Sequence, residues 1–433
     1  MDVAAAARAI PEDVVIEILA RVPDPTTLFR CAAVCWRWLR IVGDPAFLLR
    51  RWPQGTRPSF LGFFAQRHQI QANARWKLSK LFPNRSPALV SGPGNPPLGP
   101  GPGPVPVPGR RLFLTDFVRD DGAGLFDQAK PVAARGGLLL MRVFPSPPAQ
   151  KTLHFCACDL LTGKHDLLPA LHTACFDERG VRGYAILPAA DHRGTRYLSA
   201  GYSTSFQVLL LGVHRDDHKV YLHRFSSATA TATAIAQPSW STPINCSKRI
   251  PGHVRGPFGN RVAAITNGTA HWLLCGEEQS LYTLDVSIDT DNIGTTKIPL
   301  HVLSVVFDRV WLYESVDARL SLLYFDNNKL DIWTQQECQE DGPVIWASTQ
   351  STCVGVRMGL FGTEPLSSVC IGEKSGTMLT HYHSDPSSAY AVDLPSGSTT
   401  RVEDWKRWFN YMTAVPFDIS WPAFLLSRLG DFL

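Results

Sequence analysis

The sequence predicts an α+β multidomain chain: a small helical module at the N-terminus, then an all-β domain with the rhythm of a propeller. Three features carry this reading. The first fifty or so residues break into short helical segments at Pro11, Pro23, Pro25 and Pro45. Beyond a Pro/Gly-rich run the chain becomes a succession of short β-rich segments. Those segments echo one another, with landmarks at Asp159, Phe225, Asp285, Trp333 and Asp393 spaced 66, 60, 48 and 60 residues apart.

In the first helical segment, Pro11 suits the opening position, where its missing N–H would be unpaired anyway. Val14, Ile18 and Val22 fall at i, i+4 and i+8 and predict one apolar face, with Val15 and Leu19 beside it. Asp24-Pro25 reads as the N-cap and first residue of a second helix that buries Leu28 and Ala32. A third segment, 34–42, carries Cys35, Trp36 and Trp38, and Asp44-Pro45 opens a last turn with Phe47 and Leu48. A module this small cannot hide so many large apolar groups by itself, which points to a surface that takes a partner. The pattern alone also allows a plain helical bundle packed on the rest of the chain. A helix-turn-helix DNA reader fits less well: residues 1–44 hold five Arg against six acids, too few cations for a phosphate-binding face.

Residues 45–115 hold ten Lys and Arg and no acid. Within them 91–109 is almost wholly Pro and Gly and reads as a spacer, part of it favouring polyproline II. The stretch 53–110 is therefore expected to be a basic connector, with Trp76 packing between the two domains. Its basic residues, Arg50 to Arg111, either face an acidic partner or form a solvated collar.

The β domain is expected over 111–420. Strands are predicted at 112–117, 138–144, 153–160, 207–213, 220–225, 263–266, 271–275, 280–286, 321–325, 329–334, 376–380 and 388–394, and a helix is possible at 400–412. The repeated unit is strand, turn, strand ending near Asp or Trp, turn, strand. One such unit cannot cover both of its faces, so units stack in a ring. A pair of irregular β-sandwiches is the alternative.

Several constellations are weighed and set aside. Cys156-x-Cys158 lacks the second pair that zinc sites use, and strand neighbours two apart share a face, which suits buried cysteines. His381 with His383, and His214 with His218, are no better placed. The glycines of 94–109 are not followed by Lys-Ser/Thr, and no Gly-x-Ser-x-Gly elbow occurs. Glu277-Glu278 and Glu337 could form a carboxylate pair for sugar hydrolysis, or be solvated loop acids. No cofactor, metal or nucleic-acid partner is expected. A start without a basic, apolar leader and the lack of a run of about 20 apolar residues predict no membrane association and a place in the cytoplasm, the nucleus or both.

The run Ile10-Pro11-Glu12-Asp13-Val14-Val15-Ile16-Glu17-Ile18-Leu19 resembles the opening of the F-box, with Ile10 where Leu is usual. Leu28, then Val34-Cys35-Trp36-Arg37-Trp38, resembles its second half, and Asp44-Pro45-x-Phe47 its end. The resemblance covers residues 8–52. It implies binding to a Skp-family adaptor, and through it to cullin and RING subunits, with Ile10, Pro11, Ile18, Leu19, Leu28, Cys35 and Trp38 facing or supporting the adaptor groove. The segments 58–64, 135–140, 206–212, 222–227, 267–273 and 330–333, with Trp240-Ser241, are similar to the kelch-like β domain of a large class of plant F-box proteins. Together these imply a non-catalytic substrate receptor of an SCF-type ubiquitin ligase, whose β domain holds a target protein of unknown identity. The alternative is a propeller enzyme or ligand binder whose F-box serves only its own turnover or a non-ligase complex.

Overall fold

Four short helices open the chain in the computed structural model: α1 (Glu12–Ala20), α2 (Pro25–Ala32), α3 (Trp36–Val42) and α4 (Pro45–Arg51). The structure describes residues 10–23, 25–53, 59–67, 86–92, 112–119, 124–144, 152–172, 176–188, 205–215, 217, 219–227, 239–250, 261–276, 280–290, 292–298, 310–326, 329–336, 345–353, 366–382, 388–402, 405 and 409–429. Trp76 and all but the first two residues of the Pro/Gly run lie outside these.

Pro11 is the residue before α1 rather than its first. Asp44 caps α4 as its sequence predicts, its Oδ1 accepting from the Ala46 N–H at 2.9 Å. The apolar face expected on α1 splits in two. Val15 and Leu19 are buried with Leu28, Val42 and Leu48, while Val14 and Ile18 point outward. Both stripes have the same i, i+4 spacing, so periodicity cannot choose between them. Arg51 of α4 donates to the Ala20, Val22 and Pro23 carbonyls, closing the turn between α1 and α2, and Arg50 pairs with Glu17. These two members of the basic block are thus part of the module's own framework.

Six sheets follow among the described residues, each antiparallel. The first joins β1 (Ser59–Arg67), β2 (Ala88–Ser91) and β3 (Leu112–Phe113) to the chain's last strand, β25 (Phe409–Ile419). The second holds β4 (Lys130–Arg135), β5 (Leu138–Val143), β6 (Thr152–Asp159) and β7 (His165–Leu167), with β8 (Leu171–His172) also on β6. The third is β9 (Phe176–Pro188), β10 (Phe206–His214), β11 (Val220–Ser226) and β12 (Ile244–Asn245). The fourth is β13 (Ala264–Thr266), β14 (Thr269–Cys275), β15 (Leu281–Ser287) and β16 (Ile293–Ile298). The fifth is β17 (Val310–Glu314), β18 (Leu320–Asp326), β19 (Lys329–Gln335) and β20 (Trp346–Cys353). The sixth is β21 (Leu366–Ile371), β22 (Thr377–Tyr382), β23 (Ala389–Asp393) and β24 (Thr399–Arg401).

Buried clusters lie between consecutive sheets and close the circle. Leu209 and Leu211 face the fourth sheet, against Trp272 and Leu284, while Val208 and Leu210 face the second, against Leu140 and Phe155. Phe63 and Val90 of the first sheet meet Leu379 and Ala391 of the sixth. The result is a six-bladed propeller. Second strands such as β10 bury both faces, which is why they read as nearly unbroken apolar runs. Type I′ geometry shapes two hairpins, with positive φ at Gly136-Gly137 (55° and 84°) and at Asn267-Gly268 (48° and 71°).

Four expectations need correction. The stretch 53–110 is more than a connector, because β1 and β2 belong to the first blade: β1 pairs with β25 and β2, and Phe63 and Phe64 are fully buried. The strand at 112–117 is two residues long and turns into α5 (Leu114–Phe117), where Asp116 Oδ2 accepts from the Phe113 N–H at 2.8 Å. The helix at 400–412 is not formed among the described residues of that stretch. That stretch holds the last residues of β24, the start of β25 and, between them, Trp405 buried against the sixth blade. Structure also continues past 420 into α6 (Trp421–Leu429).

This last helix joins the two domains. Trp421 Nε1 donates to Ser59 Oγ at 3.0 Å, fixing α6 beside the start of β1. Leu425 and Leu429 are buried in the core of the helical module, and the Phe424 ring lies 6.2 Å from that of Phe29.

Candidate functional site

The helical module leaves a set of large apolar side chains in solvent: Ile10 (39% exposed), Val14 (43%), Ile18 (50%), Val34 (62%) and Trp36 (59%). Val14 and Ile18 share one side of α1 because they are four residues apart. The Arg37 guanidinium donates to the Ile10 carbonyl at 2.8 Å and Arg40 reaches Glu12 at 3.5 Å, so the start of α3 sits beside the start of α1. Trp36 and Ile10 thus occupy neighbouring helix ends. Apolar groups gathered this way lose free energy to water and recover it when a partner covers them.

The residues singled out from sequence divide into two groups. Ile10, Pro11 and Ile18 are exposed. Leu19 and Leu28 are fully buried in the module's own core, so they hold the surface up from beneath. Cys35 is half-buried, and Trp38 packs partly against the core with its Nε1 enclosed and unpartnered. Sequence reasoning missed Val14, Val34 and Trp36 as exposed groups. The signal available was the second i, i+4 stripe on α1.

The family model for F-box-like domains matches residues 7–52. The N-terminal module is an F-box-like domain. The F-box-like domain is followed by the six-bladed β-propeller. A search of curated proteins found no match. Among solved structures the chain is similar to a puromycin hydrolase complexed with PGG, at 17% identity and a TM-score of 0.35 over 63% of this chain, spanning only 38% of that one. It is also similar to a Penicillium chrysogenum alpha-L-arabinanase complexed with arabinobiose, at 10% identity and a TM-score of 0.35, covering 63% of this chain and 80% of that one. The β-propeller domain of the Trilobed protease from Pyrococcus furiosus aligns at 6% identity with a TM-score of 0.33, covering 64% of this chain and 70% of that one. Likeness at this level carries no argument about activity.

On the propeller, the inner strands line a narrow cavity of about 40 Å³ at the ring centre, bordered by Ala134, Ala185, Ala264, Leu312 and Pro416. It has room for a few waters. At its edge Arg135 Nη2 donates to Glu314 Oε2 at 3.2 Å, both side chains buried, and Lys374 Nζ lies 3.6 Å from the other Glu314 oxygen. The Gly136 N–H donates to Glu373 Oε2 at 3.2 Å. Each carboxylate here is engaged by a cation or a backbone N–H, which suits a structural role. Glu277, Glu278 and Glu337 lie outside the described residues, as do His218 and His383.

One arrangement looks like a catalytic relay. Thr266 Oγ1 lies 3.0 Å from His271 Nε2, and His271 Nδ1 lies 2.7 Å from Asp285 Oδ1. Thr296 Oγ1 donates to the other Asp285 oxygen at 2.7 Å. Burial alone would raise the Asp285 carboxyl, but the hydrogen bonds with His271 and Thr296 and the nearby His271 charge outweigh it and hold it below the usual range. Thr266 is buried, and the four groups come from β13, β14, β15 and β16 in turn. This is a polar rung that ties all four strands of the blade. The fifth blade has a similar rung through Ser321, Thr334 and Thr349. Cys156 and Cys158 are fully buried between the first two blades, sulfurs 3.9 Å apart, and burial pushes the Cys158 thiol well up. Among the described residues, no three His, Cys, Asp or Glu side chains gather as a metal site.

Proposed function

We propose that this chain is the target-receptor subunit of an SCF-type ubiquitin ligase. An F-box-like domain joined to a propeller fits such receptors in general. The observation that carries the reading is the set of uncovered apolar side chains, Ile10, Val14, Ile18, Val34 and Trp36, on that domain. A Skp-family adaptor would cover these side chains and bring cullin and RING subunits with it, while the propeller holds the target. No residue of the chain then needs to be catalytic. Holding a target near a charged conjugating enzyme raises the effective concentration of its lysines, and proximity does the rest. The resemblance of the β region to plant F-box proteins supports the same reading, and a chain serving such a ligase would work in the cytoplasm, the nucleus or both.

The test uses the full chain and purified adaptor. Deleting the F-box would uncover Leu425 and Leu429, so exposed positions are changed instead. Parent protein should capture the adaptor, and through it cullin, while a variant combining Ile18→Glu and Trp36→Ala should lose both with its thermal midpoint unchanged. Parent protein that ignores the adaptor would end this reading.

A further inference from the structure

The propeller has two rims, and the strand directions say which one the F-box occupies. The inner strands run the same way around the ring, as the parallel bridge Tyr184–Val262 illustrates. Their C-terminal ends meet on one rim. There Arg135 closing β4 pairs with Glu314 closing β17, and Asp418 near the end of β25 accepts from the Lys374 and Ser375 N–H groups, which follow β21. Helix α6 leaves from that same end of β25 into the F-box core. The opposite rim holds the N-terminal ends of the inner strands and the C-terminal ends of their hairpin partners.

Three cations gather toward that opposite rim. Lys130 opens β4 and Arg142 is its cross-strand partner near the end of β5. Phe144 follows β5 and is 41% exposed, with Lys130 Nζ 5.6 Å and Arg142 Cζ 5.2 Å from its ring centroid. Arg261 precedes β13, where its carbonyl accepts from the Tyr184 N–H at 2.7 Å, and Tyr184 packs on Phe155, the cross-strand partner of Arg142. No carboxylate among the described residues pairs with any of the three. Burial lowers Lys130, and the charges of Arg142 and Arg261 lower it further, as expected where like charges share partly dry ground. Such a cluster is costly unless an anion visits it, and Phe144 offers an apolar platform beside it.

We propose that this rim, facing away from the F-box, docks an acidic, unphosphorylated protein segment whose carboxylates pair with Lys130, Arg142 and Arg261 and whose apolar neighbour lies on Phe144. The inference rests on the receptor reading and names the chemistry of the target it would hold. Arg142 and Arg261 can each grip a carboxylate with two parallel N–H bonds, and the cation-lined rim would speed encounter at low salt.

The experiment measures fluorescence anisotropy of the full chain with a labelled pool of short Asp/Glu-rich peptides containing one Leu or Phe. Its comparators are the same pool with Asn/Gln, a phosphoserine pool and a single-stranded oligonucleotide. The acidic pool should bind in a salt-sensitive way, and a Lys130→Gln, Arg142→Gln, Arg261→Gln variant should bind at least about tenfold more weakly. Adaptor capture and the melting curve of that variant should match the parent, so loss of adaptor binding in the parent counts against the receptor reading alone. Equal binding by parent and triple variant, no binding of the acidic pool, or preference for the phosphoserine pool or the oligonucleotide would each overturn the proposal.

Discussion

Trp36 and Leu19 show how two apolar residues of one small module come to do different work. Leu19 is sealed in the F-box core and Trp36 stands in solvent. Leu19→Ala should therefore cost stability, about 2–5 kcal/mol, read from chemical denaturation. Trp36→Ala should leave the melting midpoint in place and weaken adaptor binding by about 2 kcal/mol, read by calorimetry. A different residue-scale effect concerns acid. His223 Nε2 lies 3.4 Å from His214 Nε2, and burial together with the His214 charge lowers His223 to about 4. The unfolded chain takes up this proton near pH 6.5 and the folded chain only near 4, so stability is lost as pH falls through that window and is unaffected above it. Melting midpoints taken across pH 7.5 to about 4.5 should show this decline, and His223→Gln should flatten it. The recurring Asp landmarks also find their reason at this scale. Asp159 and Asp393 each close a third strand and accept from backbone N–H groups two or three residues on, at 2.8 Å from Leu161 and 3.1 Å from Ser396.

Among the elements, the strands legible in the sequence are mostly the second and third of each blade: β5 and β6, β10 and β11, β14 and β15, β18 and β19, β22 and β23. Second strands such as β10 bury both faces between neighbouring blades, and third strands such as β15 and β19 alternate buried with half-buried residues, so both leave a clear apolar pattern. Inner strands such as β4, with Lys-Pro-Val-Ala-Ala-Arg, need small residues where six strands converge. Outer strands such as β24, Thr399–Arg401, face water and read as loop. Helix α6 was hidden for another reason. Its apolar face has meaning only against an F-box some four hundred residues earlier, and no local signal reports that contact. Removing residues 421–433 should uncover Leu19 and Leu28, making the F-box sensitive to limited proteolysis and weakening adaptor capture while the propeller stays resistant. Equal protease resistance throughout both domains would show that α6 is dispensable.

The whole molecule is held closed by its two ends. β25 pairs with β1 from Ser59–Ile419 to Arg67–Phe409, so the ring is sealed by strands more than three hundred residues apart. Ending the chain before β25 should strip the first blade of its inner strand and leave an aggregating protein without a cooperative melting transition, seen by circular dichroism and light scattering. The same closure plants the F-box on one rim through α6, so the other rim faces away from it. The sequence by itself determined the helical module with its capped, proline-set starts, the β-rich remainder and its repeat, because these follow from local propensity and periodicity. The tertiary structure alone decided the six blades, the closing strand, the stripe of α1 left in water and the rim on which Lys130, Arg142 and Arg261 gather. Each of those depends on which distant segments meet, and contacts at that separation leave no period in the chain to be read.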